Sequence, residues 1–334
     1  MTNISIIIPT LNEEQYIQEC LESILNSDLN RDDIEILVVD GYSKDGTVDI
    51  VKEYIKKYPF IKLLHNPKKI IPSAMNIGIK NANGKYIIRI DAHSKYPKDY
   101  FSKLLYWSQK LDADNVGGVC ITDVKNKNIK TQSIKSVLTS KLGAGGVSYK
   151  EDVLAPKESN TVPFGCFKKE VFEKYGYFDE RLERTEDLDL NKRFIENGAR
   201  VYLVPDVSFT YFAREKFRQL AKKSFETGRW VILSAYISKS FKALHIHHMI
   251  PFIFVLSLLL PIILCFVSKI FCSIFLFSLI SYISVILYTS FRLKNKKNSF
   301  FYLVFTFIVL HISYGIGSLY GVLQIMGKYI KGRK

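Results

Sequence analysis

The chain has 334 residues, enough for one large domain or two modest ones, and a formal net charge of +15. That excess points to anionic partners such as nucleotide phosphates or acidic lipid, and no nucleic-acid module accompanies it. Five cysteines without paired metal spacing, and no basic-then-apolar leader after Met1, predict a reduced, cytoplasmic N-terminal part with no structural disulfide.

In chain order, residues 4–9 are a short apolar run closed by Pro9 and read as a buried strand. Residues 13–25 place Tyr16, Ile17, Cys20, Leu21, Ile24 and Leu25 on one helical face, with Asn12 as the cap. A second strand, 34–40, ends in Asp40. Turn residues from Gly41 to Thr47 lead to a helix over 48–58, a strand over 61–64 and a helix over 72–81. Residues 86–91 form a further strand that runs into Ala92 and His93. This alternation predicts an α/β fold with a mostly parallel, doubly wound sheet. Pro9, Asp40 and Asp91 then share the sheet edge where nucleotides bind.

Asp91 has two readings. It caps its own loop, or with His93 it holds a divalent cation against a phosphate. No Gly-x-Gly-x-x-Gly follows the first strand and no Gly-Lys-Ser/Thr loop occurs, which argues against dinucleotide oxidoreductases and P-loop ATPases. Gly143-Ala144-Gly145-Gly146 is a mobile loop or an active-site lid. Lys168 and Lys169 read as solvated charges. Glu186-Asp187-Leu188-Asp189 suits the first turn of a helix. There Glu186 and Asp189 share a face, Asp187 turns away and Arg193 can pair with Asp189.

Composition shifts near His245. Apolar runs at about 249–267, 270–291 and 300–326 approach or exceed the roughly 20 residues that cross a bilayer. The expected division is a cytoplasmic domain over 1–235 and a membrane domain over 236–334. Arg292, Lys294, Lys296 and Lys297 place the second inter-helix loop in the cytoplasm. The basic tail favours the same side, which a third full crossing denies. Gly315, Gly317 and Gly321 either break the third run into a re-entrant hairpin or serve as helix-packing sites. The basic, aromatic stretch from Lys216 to Lys242 can lie on an anionic leaflet. His245, His247 and His248 read as interface histidines. His311 is expected to pair within the membrane, with Tyr314 or with a lipid-linked substrate.

Four segments together resemble family 2 glycosyltransferases, with their GT-A fold, over roughly residues 4–230. They are Ile6-Ile7-Ile8-Pro9-Thr10-Leu11-Asn12-Glu13-Glu14, then Val38 to Thr47, then Asn76-Ile77-Gly78 with Ala82-Asn83-Gly84, and Arg184-Thr185-Glu186-Asp187. The Asp-Ala-His variant and the apolar tail look most like the membrane-attached, succinoglycan-type branch. The resemblance implies an inverting hexosyltransferase of the cell membrane. It would move a sugar from a nucleotide-sugar, by expectation a UDP-sugar, to a lipid-linked oligosaccharide in polysaccharide biosynthesis.

By the same resemblance Pro9 and Glu13 would contact base and ribose, and Asp40 the uracil edge. Asp91 would orient the nucleotide and ligate Mn²⁺ or Mg²⁺, with His93 standing where the family carries a second carboxylate. Asp187 would be the catalytic base, with Glu186 beside the acceptor. The resemblance would also set Lys168 and Lys169 beside acceptor or phosphates. Glu226-Thr227-Gly228-Arg229-Trp230 keeps the spacing of the Gln-x-x-Arg-Trp motif of processive synthases. Arg229 would then reach the diphosphate and Trp230 stack on the acceptor, unless both sit at the membrane interface. Alternatives are transfer to polyprenyl phosphate, as in dolichyl-phosphate-mannose-like synthases, a processive synthase, and a non-catalytic membrane assembly subunit.

Overall fold

Side chains alternate along a strand, so Ile4, Ile6 and Ile8 of β1 (Ile4–Thr10) enter one apolar layer and Ile7 the other. The computed structural model describes residues 3–143, 154–238 and 246–331. Two compact units emerge, Met1–Asp123 with Val147–Phe212, and Val124–Gly146 with Ala213–Lys334. This division differs from the compositional boundary at 235, because hydropathy records solvent while packing groups an earlier helix with the apolar ones.

The first unit is a sheet between helices. β2 (Ile34–Asp40), β3 (Ile61–His65) and β4 (Tyr86–Arg89) run parallel to β1 in the order β3-β2-β1-β4. Beyond β4 lie β8 (Cys166–Lys168), β6 (Asn115–Asp123), β9 (Val201–Phe212) and the two-residue β5 (Ser94–Lys95), while β7 (Lys157–Glu158) also pairs with β9. β8 is antiparallel to both β4 and β6. One face is covered by α1 (Ile17–Leu25), α2 (Thr47–Lys57) and α4 (Tyr100–Lys110), the other by α3 (Ile71–Asn81), α6 (Glu170–Tyr175) and α7 (Glu186–Glu196).

Loops at the strand ends depart from expectation in one respect. Asn12 does not cap α1, which starts five residues later at Ile17. It takes a left-handed backbone (φ 57°) and bridges two loops instead. Its Oδ1 accepts from Lys44 N–H at 2.8 Å and its own N–H donates to Ser43 Oγ at 2.8 Å. The reason is topological: parallel neighbours β1 and β2 end side by side, so their loops meet. At the opposite end of the sheet the Ala82-Asn83-Gly84 turn is held by buried Glu35, which accepts from Asn83 N–H (2.5 Å) and Ser5 Oγ (2.7 Å). A Cβ on Gly84 would lie 2.6 Å from Ser5 N, so only glycine lets the turn approach β1.

The second unit contains α5 (Ile129–Thr139), α8 (Phe217–Ile237), α9 (Ile246–Leu264), α10 (Lys269–Leu293) and α11 (Phe300–Lys331). α10 and Phe300–Gly327 are long and apolar enough to cross a membrane, and Met249–Leu264 is a shorter apolar helix. α11 runs unbroken through Gly315, Gly317 and Gly321. Those glycines serve helix packing: a Cβ on Gly317 would strike the Phe225 backbone, and one on Gly228 of α8 the Tyr314 carbonyl. α5 docks on the α10–α11 connection, where Asn298 Nδ2 donates to Ser136 Oγ (3.1 Å) and Ser299 N–H to Ser133 Oγ (3.1 Å). Val137 closes this contact against Ile286, Leu303 and Phe307.

His311 finds the Tyr282 hydroxyl (3.3 Å) and the Leu142 carbonyl (2.9 Å) as partners, where Tyr314 or substrate was expected. Cys265 and Cys272 form a disulfide pair where none was expected. The α9–α10 turn folds the chain back over a sequence separation of 7 and brings the two Cα atoms within 5.0 Å. Residues 144–146 of the glycine-rich stretch and His245 lie outside the described residues, as do the side chains of His247 and His248.

Candidate active site

The parallel order β3-β2-β1-β4 reverses direction between β1 and β4, and their carboxyl ends carry Pro9 and Asp91. A ligand crevice is expected outside such a switch point. β4 stops at Arg89, although Ile90 N–H still bonds the Ile7 carbonyl at 3.1 Å. The chain then turns through Asp91, Ala92 and His93 into β5, which pairs with Tyr211 and Thr210 of β9. The Tyr96 hydroxyl fixes this turn by accepting from Asp91 N–H (2.9 Å) and donating to the Asp91 carbonyl (3.1 Å). The Asp91 backbone is thus clamped, while among the described residues no hydrogen bond ties down its carboxylate. The side chain does not cap its own loop.

Asp40, expected to read the base, is in the opposite condition. It is buried, its Oδ1 accepts from Ser43 Oγ (2.5 Å) and Thr10 Oγ1 (3.3 Å), and its Oδ2 accepts from Ser43 N–H (2.8 Å). Its first service is to hold the β2 loop. Pro9 is half-buried at the end of β1. Glu13 N–H donates to Thr47 Oγ1 (2.8 Å), and its Oε1 lies 3.3 Å from His93 Nδ1. His93 is packed edge-on by Tyr16 and Tyr211. The expected metal ligand and the expected ribose contact therefore face each other.

Arg89 was not singled out by sequence, yet it organises the acidic groups. It is 6% exposed, and its Nη1 is 2.9 Å from Glu186 Oε1 and its Nη2 3.8 Å from Asp91 Oδ1. The 2.9 Å contact is an ion pair without the alignment of a hydrogen bond, and Nε has no partner among the described residues. Phe164 lies against the guanidinium, 5.9 Å from ring centroid to Cζ. Burial pushes the Glu186 carboxyl up to about 7. Arg89 opposes that rise and Asp187 adds to it.

α7 starts after Thr185, whose backbone is left-handed (φ 63°). Asp187 is half-buried, and its Oδ1 accepts from Leu188 N–H at 2.9 Å. Buried Asn191 anchors this turn by donating to the Asp187 carbonyl (2.9 Å) while accepting from Asn115 of β6 (2.7 Å). Asp189 pairs with Arg193 at 2.9 Å as expected for helix support. Lys168 pairs with Asp112 (2.5 Å), and Lys169 donates to the Ala82 carbonyl (2.7 Å).

Asp91, with free lone pairs at a strand end, suits a hard divalent cation that takes its other ligands from water and substrate phosphates. His93 suits a hard cation less, because an imidazole nitrogen prefers a transition metal. Among the described residues no group of three or more His, Cys, Asp or Glu could hold a metal ion. A cation here would depend on substrate oxygens.

In the second unit Arg229 donates to Gln324 of α11 through Nε (2.8 Å) and pairs with Glu226 (3.2 Å). The Trp230 and Tyr320 rings lie on either hand, each 5.6 Å from its guanidinium carbon. Trp230 is 6% exposed. Arg229, expected at the diphosphate, is thus tied to α11, and Trp230, expected at the acceptor, is buried beside it.

Comparison with known proteins agrees with this architecture. The family model for glycosyl transferase family 2 matches residues 5–176. A dolichyl N-acetyl-α-D-glucosaminyl phosphate 3-β-D-2,3-diacetamido-2,3-dideoxy-β-D-glucuronosyltransferase of Methanococcus voltae is 34% identical, over 68% of this chain and 72% of that protein. The succinoglycan biosynthesis protein ExoA of Rhizobium meliloti (strain 1021) is 30% identical, over 68% of each. Among solved structures, the mannosyltransferase PcManGT of Pyrobaculum calidifontis, in complex with GDP-Man and Mn²⁺, aligns with a TM-score of 0.61. The match covers 96% of this chain and 87% of that one at 18% identity, a likeness of fold. The expected GT-A-like fold and transferase class both hold, and the chain belongs to glycosyl transferase family 2.

Proposed function

We propose that the chain is an inverting, membrane-attached glycosyltransferase that takes its sugar from a UDP-sugar and delivers it to a saccharide carried on a polyprenyl phosphate or diphosphate. The observation that carries this reading is the pairing of an open carboxylate, Asp91, with the acidic first turn of α7 through one buried guanidinium. Asp91 orients the diphosphate end of the donor, and Pro9 and Glu13 border the nucleoside. A bound Mn²⁺ or Mg²⁺ would supply Lewis-acid stabilisation of the departing diphosphate. Asp187 takes the proton from the acceptor hydroxyl, which attacks the anomeric carbon on the face opposite the leaving group. A single displacement inverts that centre and needs no covalent nucleophile. The M. voltae relative, named for a dolichyl-phosphate-linked sugar, supports a lipid-linked saccharide acceptor. The apolar helices supply a place for such a lipid, with the catalytic unit on the cytoplasmic side.

The test is turnover in membranes with a panel of UDP- and GDP-sugars, with Asp187→Asn as control. Transfer from a UDP-sugar that falls by about 10²–10⁴-fold in the variant is the expected result. Near-full activity of Asp187→Asn would remove the assigned base.

A further inference from the structure

The acidic groups assigned to donor and acceptor chemistry lie on elements almost a hundred residues apart in sequence, Asp91 after β4 and Glu186-Asp187 on α7. One cation stands between them. Arg89 is the last residue of β4, its backbone N–H bonds the Gly165 carbonyl (3.1 Å), and Phe164 covers the guanidinium. Its side chain is 7% exposed and that of its partner Glu186 is 6% exposed, so water does not screen the pair. Glu186 and Asp91 are the largest attractive influences on its charge, and Asp187 follows.

We propose that Arg89 is a positioning residue for the transfer step, holding the first turn of α7, and with it Asp187, in register with Asp91. This inference rests on the roles given to Asp91 and Asp187 above. Three features support it. Arg89 keeps its charge at every working pH, so only protonation of Glu186 can loosen the link. Its planar fork can address two carboxylates at once, which an ammonium cannot do in the same geometry. Its contacts are unequal, 2.9 Å to Glu186 and 3.8 Å to Asp91. The guanidinium therefore fixes α7 firmly and leaves Asp91 free to turn toward substrate. As a like charge, it should also oppose a cation at Asp91.

A purely structural ion pair predicts something different, so the two roles separate. The proteins to compare are wild type, Arg89→Lys, the double variant Arg89→Met/Glu186→Gln, and Asp187→Asn. The double variant removes both buried charges together and avoids leaving one unpaired. The readouts are melting temperature, UDP-dependent Mn²⁺ binding by electron paramagnetic resonance, and kcat with donor KM.

The double variant is expected to melt within a few degrees of wild type. It should bind Mn²⁺ with UDP as tightly or a few-fold more tightly. Its kcat should fall by about 100-fold, the scale of an ångström-sized misplacement, with donor KM nearly constant. Arg89→Lys should show the same split, less deeply. Wild-type kcat in the double variant, with Asp187→Asn inactive, would overturn the inference while leaving the base assignment intact. Weakened Mn²⁺ binding in a variant that melts normally would also overturn it. An active Asp187→Asn would instead sink the underlying mechanism, and the inference with it.

Discussion

Two arginines illustrate how differently a guanidinium can be used. Arg229 lies between two helices and is surrounded: Gln324 on Nε, Glu226 on Nη1, and aromatic rings beside the plane. Arg89 lies at a strand end with an unaligned ion pair and a second carboxylate at 3.8 Å. Arg229 sits in a motif whose spacing suggests chemistry, and its Nε and Nη1 are engaged by Gln324 and Glu226. Arg89 was not singled out by its spacing and sits between Asp91 and Glu186. Residue spacing announces that side chains meet, and only their remaining hydrogen-bond capacity tells whether anything else can meet them.

The largest effect expected from breaking this contrast is chemical. Asp187→Asn should lower kcat by about 10²–10⁴-fold, whereas Arg229→Ala should leave donor KM within a few-fold. Steady-state kinetics on the same membranes compares them directly, and a large rise in donor KM for Arg229→Ala would restore a diphosphate role to that residue. Next in size is packing. Gly317→Leu puts a side chain where the Phe225 backbone already lies, so α8 and α11 cannot close. A loss of about 1–3 kcal/mol or more is expected, read as a lower melting temperature in detergent. An unchanged melting temperature would mean that the two helices are not in close contact.

A smaller effect comes from pH. The Glu186 carboxyl is raised from 4.5 to about 7 in the folded chain. Between those values the folded state holds a proton that the unfolded state has lost, so this group's contribution to stability declines as pH rises from about 4.5 to 7 and is flat outside that window. The difference in melting temperature between wild type and Glu186→Gln should therefore change across pH 5–7. A parallel pair of pH profiles would show that Glu186 titrates normally. The smallest effect is at His93. If Asp91 alone anchors the cation, His93→Gln should shift the Mn²⁺/Mg²⁺ activity ratio by no more than a few-fold. A larger swing would make the imidazole an inner ligand.

Much of the sheet-bearing unit was legible in the sequence. Strands over 4–9, 34–40 and 86–91 are apolar runs of strand length bounded by turn residues, and parallel order follows from their alternation with helices. The edge carrying Pro9, Asp40 and Asp91 was readable for the same reason. Arg89 was not, because an isolated arginine in Ile-Ile-Arg-Ile looks like an outward-facing residue until its partner is found on α7. Tyr96 was invisible too, since clamping Asp91 through backbone atoms leaves no pattern. Asn12 was misassigned because an amide before a helix and an amide bridging two loops look alike in one dimension. The Glu226-x-x-Arg229-Trp230 spacing is open to two readings, since positions three and four apart on a helix are also where packing partners and ion pairs meet.

The docking of α5 sets an order of events during synthesis. Ser136 meets Asn298 across a separation of 162 residues, and Val137 is buried only once α10 and α11 exist. At the usual pace of about 5–20 residues per second, α5 leaves the ribosome on the order of ten to thirty seconds before its partners. Meanwhile the chain flanking it can complete the sheet once β9 is made, so the catalytic half closes around an unfinished excursion. Fragments ending before Phe300 therefore lack Leu303 and Phe307, two of the residues that cover Val137.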